Sequence, residues 1–214
     1  MFDYMMTPFT EIVSSEKEIR DILGFPSELV KRKTIYELDY HCRNFISMSP
    51  ILFLSTSDDK GFCDVSPRGD TPGSVIVLDE RHLVIPERPG NRRIDSLRNI
   101  LLNSRVGIIF LIPGLEETLR INGKAYVIKD QEILGLMKVN DKKPQLGIGV
   151  EIEEGYVHCA KAFKRSRLWD SNSWVKANEL PSIPNMLKDH VNSSEYTTEI
   201  ISKGLQESYD KRLY

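Results

Sequence analysis

The chain has 214 residues, 40% of them hydrophobic and 28% charged, which suits one substantial folded domain and argues against disorder or coiled coil. Its 29 basic and 31 acidic residues leave a formal charge of -2, so the balance calls for neither nucleic acid nor an anionic membrane as partner. Three cysteines (Cys42, Cys63, Cys159) without C-x-x-C spacing exclude a disulfide framework and a sequence-readable zinc site; with no spanning-length apolar run, and no basic, apolar leader over Met1–Pro8, the expectation is a metal-free cytoplasmic protein.

The chain opens with helical signals. Ser15-Glu16-Lys17-Glu18 spells a capping box, Ile19, Ile22 and Leu23 follow on one face, and Gly24 with Pro26 ends the segment. A second helix is expected from Leu38 through Ile46, with Tyr40, Phe45 and Met48 set to pack against a sheet. Strands follow. Ile51–Leu54 is an apolar run stopped by the turn Ser57–Gly61, Cys63–Arg68 returns, and Val75–Leu78 and Leu83–Ile85 flank a turn at Asp79–Arg81. Asn91–Asn103 switches to helical period, with Ile94, Leu97 and Leu101 on one face and Asn91 as N-cap. Val106–Ile112, a long Thr118–Ile128 interrupted at Gly123, and Gly147–Gly155 complete the strands. Lys161–Trp169 reads as helix or turn, Leu180–Pro184 as a linker, and Ser194–Leu205 as a terminal helix.

Strands joined by tight turns, with one helix among them, favour a small antiparallel barrel over a doubly wound sheet. Residues 1–40 read as a helical N-terminal extension packed on the barrel, 41–170 as the barrel and 171–214 as a C-terminal helical segment, all in one compact domain.

Familiar catalytic motifs are missing: the sequence has no G-x-S-x-G, no phosphate-binding G-x-x-x-x-G-K-[ST] and no G-x-G-x-x-G after a strand. The four histidines are scattered without metal spacing, and Cys63 and Cys159 read as small buried hydrophobes. Arginine beside turn residues stands out instead. Ser66-Pro67-Arg68-Gly69-Asp70 interrupts a strand region, and Arg88-Pro89-Gly90-Asn91-Arg92-Arg93 opens a helix. Free N–H groups and the positive dipole end of a helix start, joined by fork-shaped guanidinium donors, suit a phosphate dianion. The same residues also suit a solvated helix start. Thr118, Arg120 and Asn122 alternate on one face of the long strand, which would be either a site wall or the solvent side. Lys161–Asp170 sets basic residues beside Trp169, either a phosphate or nucleotide-stacking segment or a basic helix face.

In order and spacing, Phe45–Pro50, Asp64–Asp70, Arg88–Ile100 and Glu117–Ala125 resemble the pyridoxamine 5'-phosphate oxidase-like flavoproteins, over roughly residues 40 to 170. The resemblance implies a mainly β fold, a six-stranded antiparallel FMN-binding split barrel, and a homodimer with flavin sites at the subunit interface. It implies Ser66 and Arg68 on the strand that leads toward the FMN phosphate, and Ile85, Pro86 and Glu87 beside the isoalloxazine. Asn91, Arg92 and Arg93 would complete the phosphate grip. Thr118 and Arg120 would approach the flavin from the partner subunit, and Arg165, Ser166 and Trp169 would close the site. It implies an FMN-dependent oxidoreductase acting on a small molecule; a non-catalytic FMN module, or a user of the deazaflavin F420, is the alternative. Two departures point away from pyridoxamine phosphate as substrate. Asp70-Thr71-Pro72-Gly73 carries no lysine where the family binds the substrate phosphate, and Arg165-Ser166-Arg167 carries no histidine where the family ends in arginine–any–histidine.

Overall fold

The computed structural model describes residues 8–214, which fall into two compact units meeting at Thr34/Ile35. Residues 1–7, on which the reading of the chain's start rests, lie outside the described residues. In the first unit, helix α1 (Glu16–Leu23) is capped as its sequence requires. Ser15 Oγ accepts from the Glu18 N–H (3.3 Å), while the Glu18 carboxylate reaches back to the Ser14 N–H (3.4 Å). Gly24 ends the helix at φ 74°, a left-handed backbone that only glycine adopts without cost. A short helix α2 (Glu28–Arg32), not anticipated from periodicity, follows its cap Ser27. Neither helix buries a residue, so the apolar face of Ile22 and Leu23 stays open.

The second unit is a seven-stranded, wholly antiparallel sheet with helices. Helix α3 (Tyr40–Met48) starts at Asp39, whose carboxylate accepts from the Cys42 N–H (2.8 Å). Cys42 and Ile46 are its buried residues and Phe45 packs against the core, but Tyr40 and Met48 are exposed, contrary to expectation. Residues 42 and 46 lie one turn apart and define the inward stripe, which 40 and 48 flank.

The strands are β1 (Ile51–Ser57), β2 (Cys63–Gly69), β3 (Ile76–Val77), β4 (His82–Pro86), β5 (Arg105–Leu111), β6 (Thr118–Ile128) and β7 (Gly147–His158). Their hydrogen-bonded order is β2-β1-β5-β6-β7-β4-β3, so all seven strands read along the chain are present, with Val75–Leu78 shortened to the two-residue β3, whereas the family resemblance implied six. β1 and β5 alternate in burial, setting Leu52, Leu54, Ile108 and Phe110 inward with Leu119, Ile121, Ile148, Val150 and Ile152 from β6 and β7. Such a continuous apolar interior supplies the main driving force for this fold. Between Asn122 and Gly123 the β6–β7 register shifts, and a Cβ at residue 123 would fall 2.1 Å from the Glu151 carbonyl oxygen. Only glycine fits that bulge.

Helix α4 (Asp95–Leu102) lies on the sheet through Leu97 and Ile100, and its Asn99 side chain donates to Thr56 Oγ1 (3.1 Å) and Asp64 Oδ2 (2.8 Å). The helix begins four residues later than periodicity suggested. Asn91 is not its cap but accepts from the Arg93 N–H (3.0 Å), closing a turn ahead of it. Unanticipated helices α5 (Gln131–Gly135) and α7 (Ile183–Val191) join α6 (Lys161–Ser166) and α8 (Thr198–Lys211). Cys63 and Cys159 are exposed rather than buried, because they sit at strand ends away from the core. Among the described residues no helix is long and apolar enough to cross a membrane.

Candidate functional site

A crevice lies between one edge of the sheet and the strand next to its other edge. One wall is β2, an edge strand; the other is the end of β4 and the loop running from it into α4. A cavity of about 960 Å³ lies between them, within the range of small-molecule and cofactor sites. Residues 142–146, ahead of β7, and Tyr214 close it further.

Two ion pairs span the opening. Arg68 Nη1, on β2, pairs with Glu87 Oε2, just past β4, and both side chains are largely secluded. Arg88 Nε donates to Asp70 Oδ2 (2.5 Å), and there the side chains are 13% and 4% exposed. Asp70 is held from several sides. Burial would raise its carboxyl pKa, but the Thr71 N–H and hydrogen bonds from Arg88 and Tyr214 outweigh that and hold it below the usual value. Arg68 keeps one unmet need: its Nε is buried with no hydrogen-bond partner.

The start of α4 is unusual. No side chain caps it, and the residue in the cap position, Ile94, has left-handed backbone at φ 56°; Arg92, two residues earlier, is left-handed too at φ 60°. A β-branched residue in that region is strained, and such strain concentrates at functional sites. Residues 94–97 line the crevice, so the first-turn N–H groups, without a capping side chain, stand at its wall.

The lining therefore gathers Arg68, Arg88, Arg92, Arg93, Lys142 and Lys143 against Asp64, Asp70, Glu87 and Asp95. Arg93 is paired with Asp95 (2.8 Å). The cations outnumber the carboxylates, and the positive helix end adds to them, so this end of the crevice favours an anion.

Of the residues expected at a site, Ser66, Arg68, Ile85, Pro86, Glu87, Asn91, Arg92 and Arg93 all line this crevice. Ile85 and Pro86 are buried and give it an apolar floor. Thr118, Arg120, Arg165, Ser166 and Trp169 do not line it. Thr118 is buried on β6; Arg120 donates to Asn122 Oδ1 (3.3 Å), which confirms a shared strand face, and its guanidinium lies over Tyr156 at 5.7 Å. Trp169 stacks on Phe163 and donates to the Leu115 carbonyl (2.9 Å). Ser166 turns back to the Phe163 carbonyl (3.1 Å), and Arg165 is exposed. Asp70, Arg88, Lys142, Lys143 and Tyr214 also line the crevice but were not expected as site residues. The first two stood within the arginine-and-turn segments; Tyr214 lies 144 positions from Asp70 and carries no local signal.

The family model described as pyridoxamine 5'-phosphate oxidase matches residues 38–159, more than half of the chain and all seven strands. This chain belongs to the pyridoxamine 5'-phosphate oxidase family. No curated protein matches it. Among solved structures, HupZ of Group A Streptococcus is 18% identical, with 56% of this chain and 93% of that one covered at a TM-score of 0.45. A proposed pyridoxamine 5'-phosphate oxidase of Lactobacillus delbrueckii is 22% identical, with 57% and 99% covered at 0.43. An FMN-binding protein of Syntrophomonas wolfei is 12% identical, with 67% and 93% covered at 0.43. Likenesses at such scores decide nothing about ligand or chemistry, which the crevice of this pyridoxamine 5'-phosphate oxidase family member must supply.

Proposed function

We propose that the crevice binds FMN and that the protein is a flavin-dependent oxidoreductase acting on a small molecule. The observation that carries this is the α4 entry: a strained, uncapped helix start beside Arg68, Arg92 and Arg93. A phosphate there would satisfy first-turn N–H groups, with the Arg68 guanidinium, which lines the same crevice, as a further donor. Arg92 and Arg93 supply further donors at the rim, and Glu87 keeps Arg68 oriented. Ile85 and Pro86 offer an apolar surface for a planar ring and exclude water from it. When bound, FMN itself supplies the hydride chemistry, so the chain needs no nucleophile of its own.

The proposal includes a homodimer. Phe53 on β1 stands directly opposite Ile109 on β5, both partly exposed, and Val65 on the neighbouring edge strand is more exposed still. A second copy of the chain is the occupant proposed for this apolar patch. Thr118, Arg120, Arg165, Ser166 and Trp169, which stay outside the crevice, would then serve the partner's flavin.

Titration with FMN, followed by quenching of flavin fluorescence, tests the reading. Saturation at one FMN per chain is expected. Failure of FMN to saturate would overturn it, and saturation by F420 instead would reassign the cofactor.

A further inference from the structure

Tyr214 lines one end of the crevice and makes three contacts across it. Its hydroxyl donates to Asp70 Oδ1 (2.8 Å), the Arg88 guanidinium lies 5.6 Å from its ring centre, and its main-chain oxygen accepts from Lys142 Nζ (3.0 Å). These three partners come from separate places in the fold: the turn after β2, the loop after β4 and the loop before β7. Two of them also hold each other. Asp70 and Arg88 are bonded to each other and almost wholly secluded. Helix α8 stops at Lys211, Arg212 leaves helical geometry at φ -134° and ψ 26°, and the last residues carry Tyr214 into the crevice.

Each contact selects a chemical feature. An ionised Asp70 is acceptor-only and calls for an O–H or ring N–H. The Arg88 guanidinium favours the face of an aromatic ring. Lys142 supplies donors to an acceptor or anion at the far end of the same molecule.

We propose that this end of the crevice is a subsite for a hydroxyaryl carboxylate, and that Tyr214 is the chain's own occupant, displaced when that ligand enters. The inference deepens the flavin assignment, resting on it for the identity of the neighbouring ligand, while the subsite's own contacts stand without it. An aryl acid lacking the hydroxyl leaves Asp70 Oδ1 with the Thr71 N–H (2.7 Å) but without its second donor, and so binds less well.

Calorimetric titration of the full chain, with and without FMN, tests this with para-hydroxyphenylacetate and phenylacetate as probes. Removing the internal competitor by Tyr214→Ala should tighten para-hydroxyphenylacetate by roughly tenfold or more, because a charge-assisted hydrogen bond and a cation–ring contact no longer have to be displaced. Phenylacetate should gain much less. Tyr214→Phe removes a single oxygen and leaves the fold intact; it should tighten the hydroxylated probe by roughly threefold, since the ring contact remains. Neither variant binding it more tightly than the unaltered protein overturns the proposal, as does an equal gain for both probes. Probe behaviour as expected in a protein that does not bind FMN would sink the flavin assignment alone. FMN saturation without any probe difference would sink the subsite alone.

Discussion

Arg68 on β2 is ion-paired to Glu87 just past β4, across the opening of a sheet whose two ends share no hydrogen-bonded ladder among the described residues. Both side chains are largely shielded from solvent, so neither charge is easily left alone. The pairing fixes one guanidinium edge on Glu87, while Nε stays without a partner. The Arg68 guanidinium therefore keeps donor capacity beyond the Glu87 pair.

Arg68→Ala should therefore weaken FMN binding by at least about 1.5–3 kcal/mol, the loss of a charge-assisted hydrogen bond near a desolvated dianion. Arg20→Ala, on an exposed helix of the first unit, should leave the affinity unchanged. Calorimetry on both variants checks the pair, and an unaltered affinity in Arg68→Ala removes this residue from the phosphate grip.

At residue 94 the backbone is left-handed and the isoleucine side chain is mostly exposed, so little packing is lost on replacement. Ile94→Asn should stabilise the ligand-free protein by about 1 kcal/mol, because asparagine tolerates this conformation. For a chain of this length that corresponds to a melting temperature higher by about 2–4 °C. A lower melting temperature would mean that the strain is relieved in some other way.

The sheet and most of the crevice were legible in the sequence because their signals are local. A continuous apolar run stopped by turn residues drew β1, and arginine beside proline and glycine marked both crevice walls. What escaped depends on long-range contact. The α4 start was misplaced because Asn91 is a good cap in isolation, yet its side chain serves the Arg93 N–H in a preceding turn. Tyr214 meets Asp70 across 144 positions, a distance no motif or period reports. Burial at Cys63 and Cys159 was misjudged for the same reason: strand context predicts an environment only when the strand's neighbours are known.

Gly123→Ala would drive a methyl group against the Glu151 carbonyl, and backbone has little room to yield. The variant should lose at least about 2 kcal/mol of stability, read by denaturant titration. A neutral outcome would show that the β6–β7 bulge can shift.

Burial and its contact with the Asp39 carboxylate push the Cys42 thiol up to about 12, whereas Cys63 and Cys159 are exposed. A thiol reagent at neutral pH should modify two of the three cysteines in the native protein and the third on unfolding. Three fast-reacting thiols would contradict the burial of Cys42.

Asp70 has a pKa lowered from its ordinary 3.8, so its contribution is full above that value and is lost as pH falls through the lower, folded one. Tyr214 is shifted the other way, its hydroxyl held protonated first by the bond to Asp70 and then by burial. Its contribution is present below the ordinary value of 10.0 and is lost as pH rises through the raised one. Asp70→Asn should accordingly flatten the acid limb of a stability-against-pH curve, measured by thermal melts from pH 2 to 6. An acid limb as steep as the unaltered protein's would assign it to other carboxylates.

The location of the FMN phosphate in a crystal of the FMN complex tests the account most directly. The predicted result is a phosphate at the start of α4, hydrogen-bonded to first-turn N–H groups and within reach of Arg68. A phosphate bound away from both, or a crevice that FMN does not enter, would contradict it.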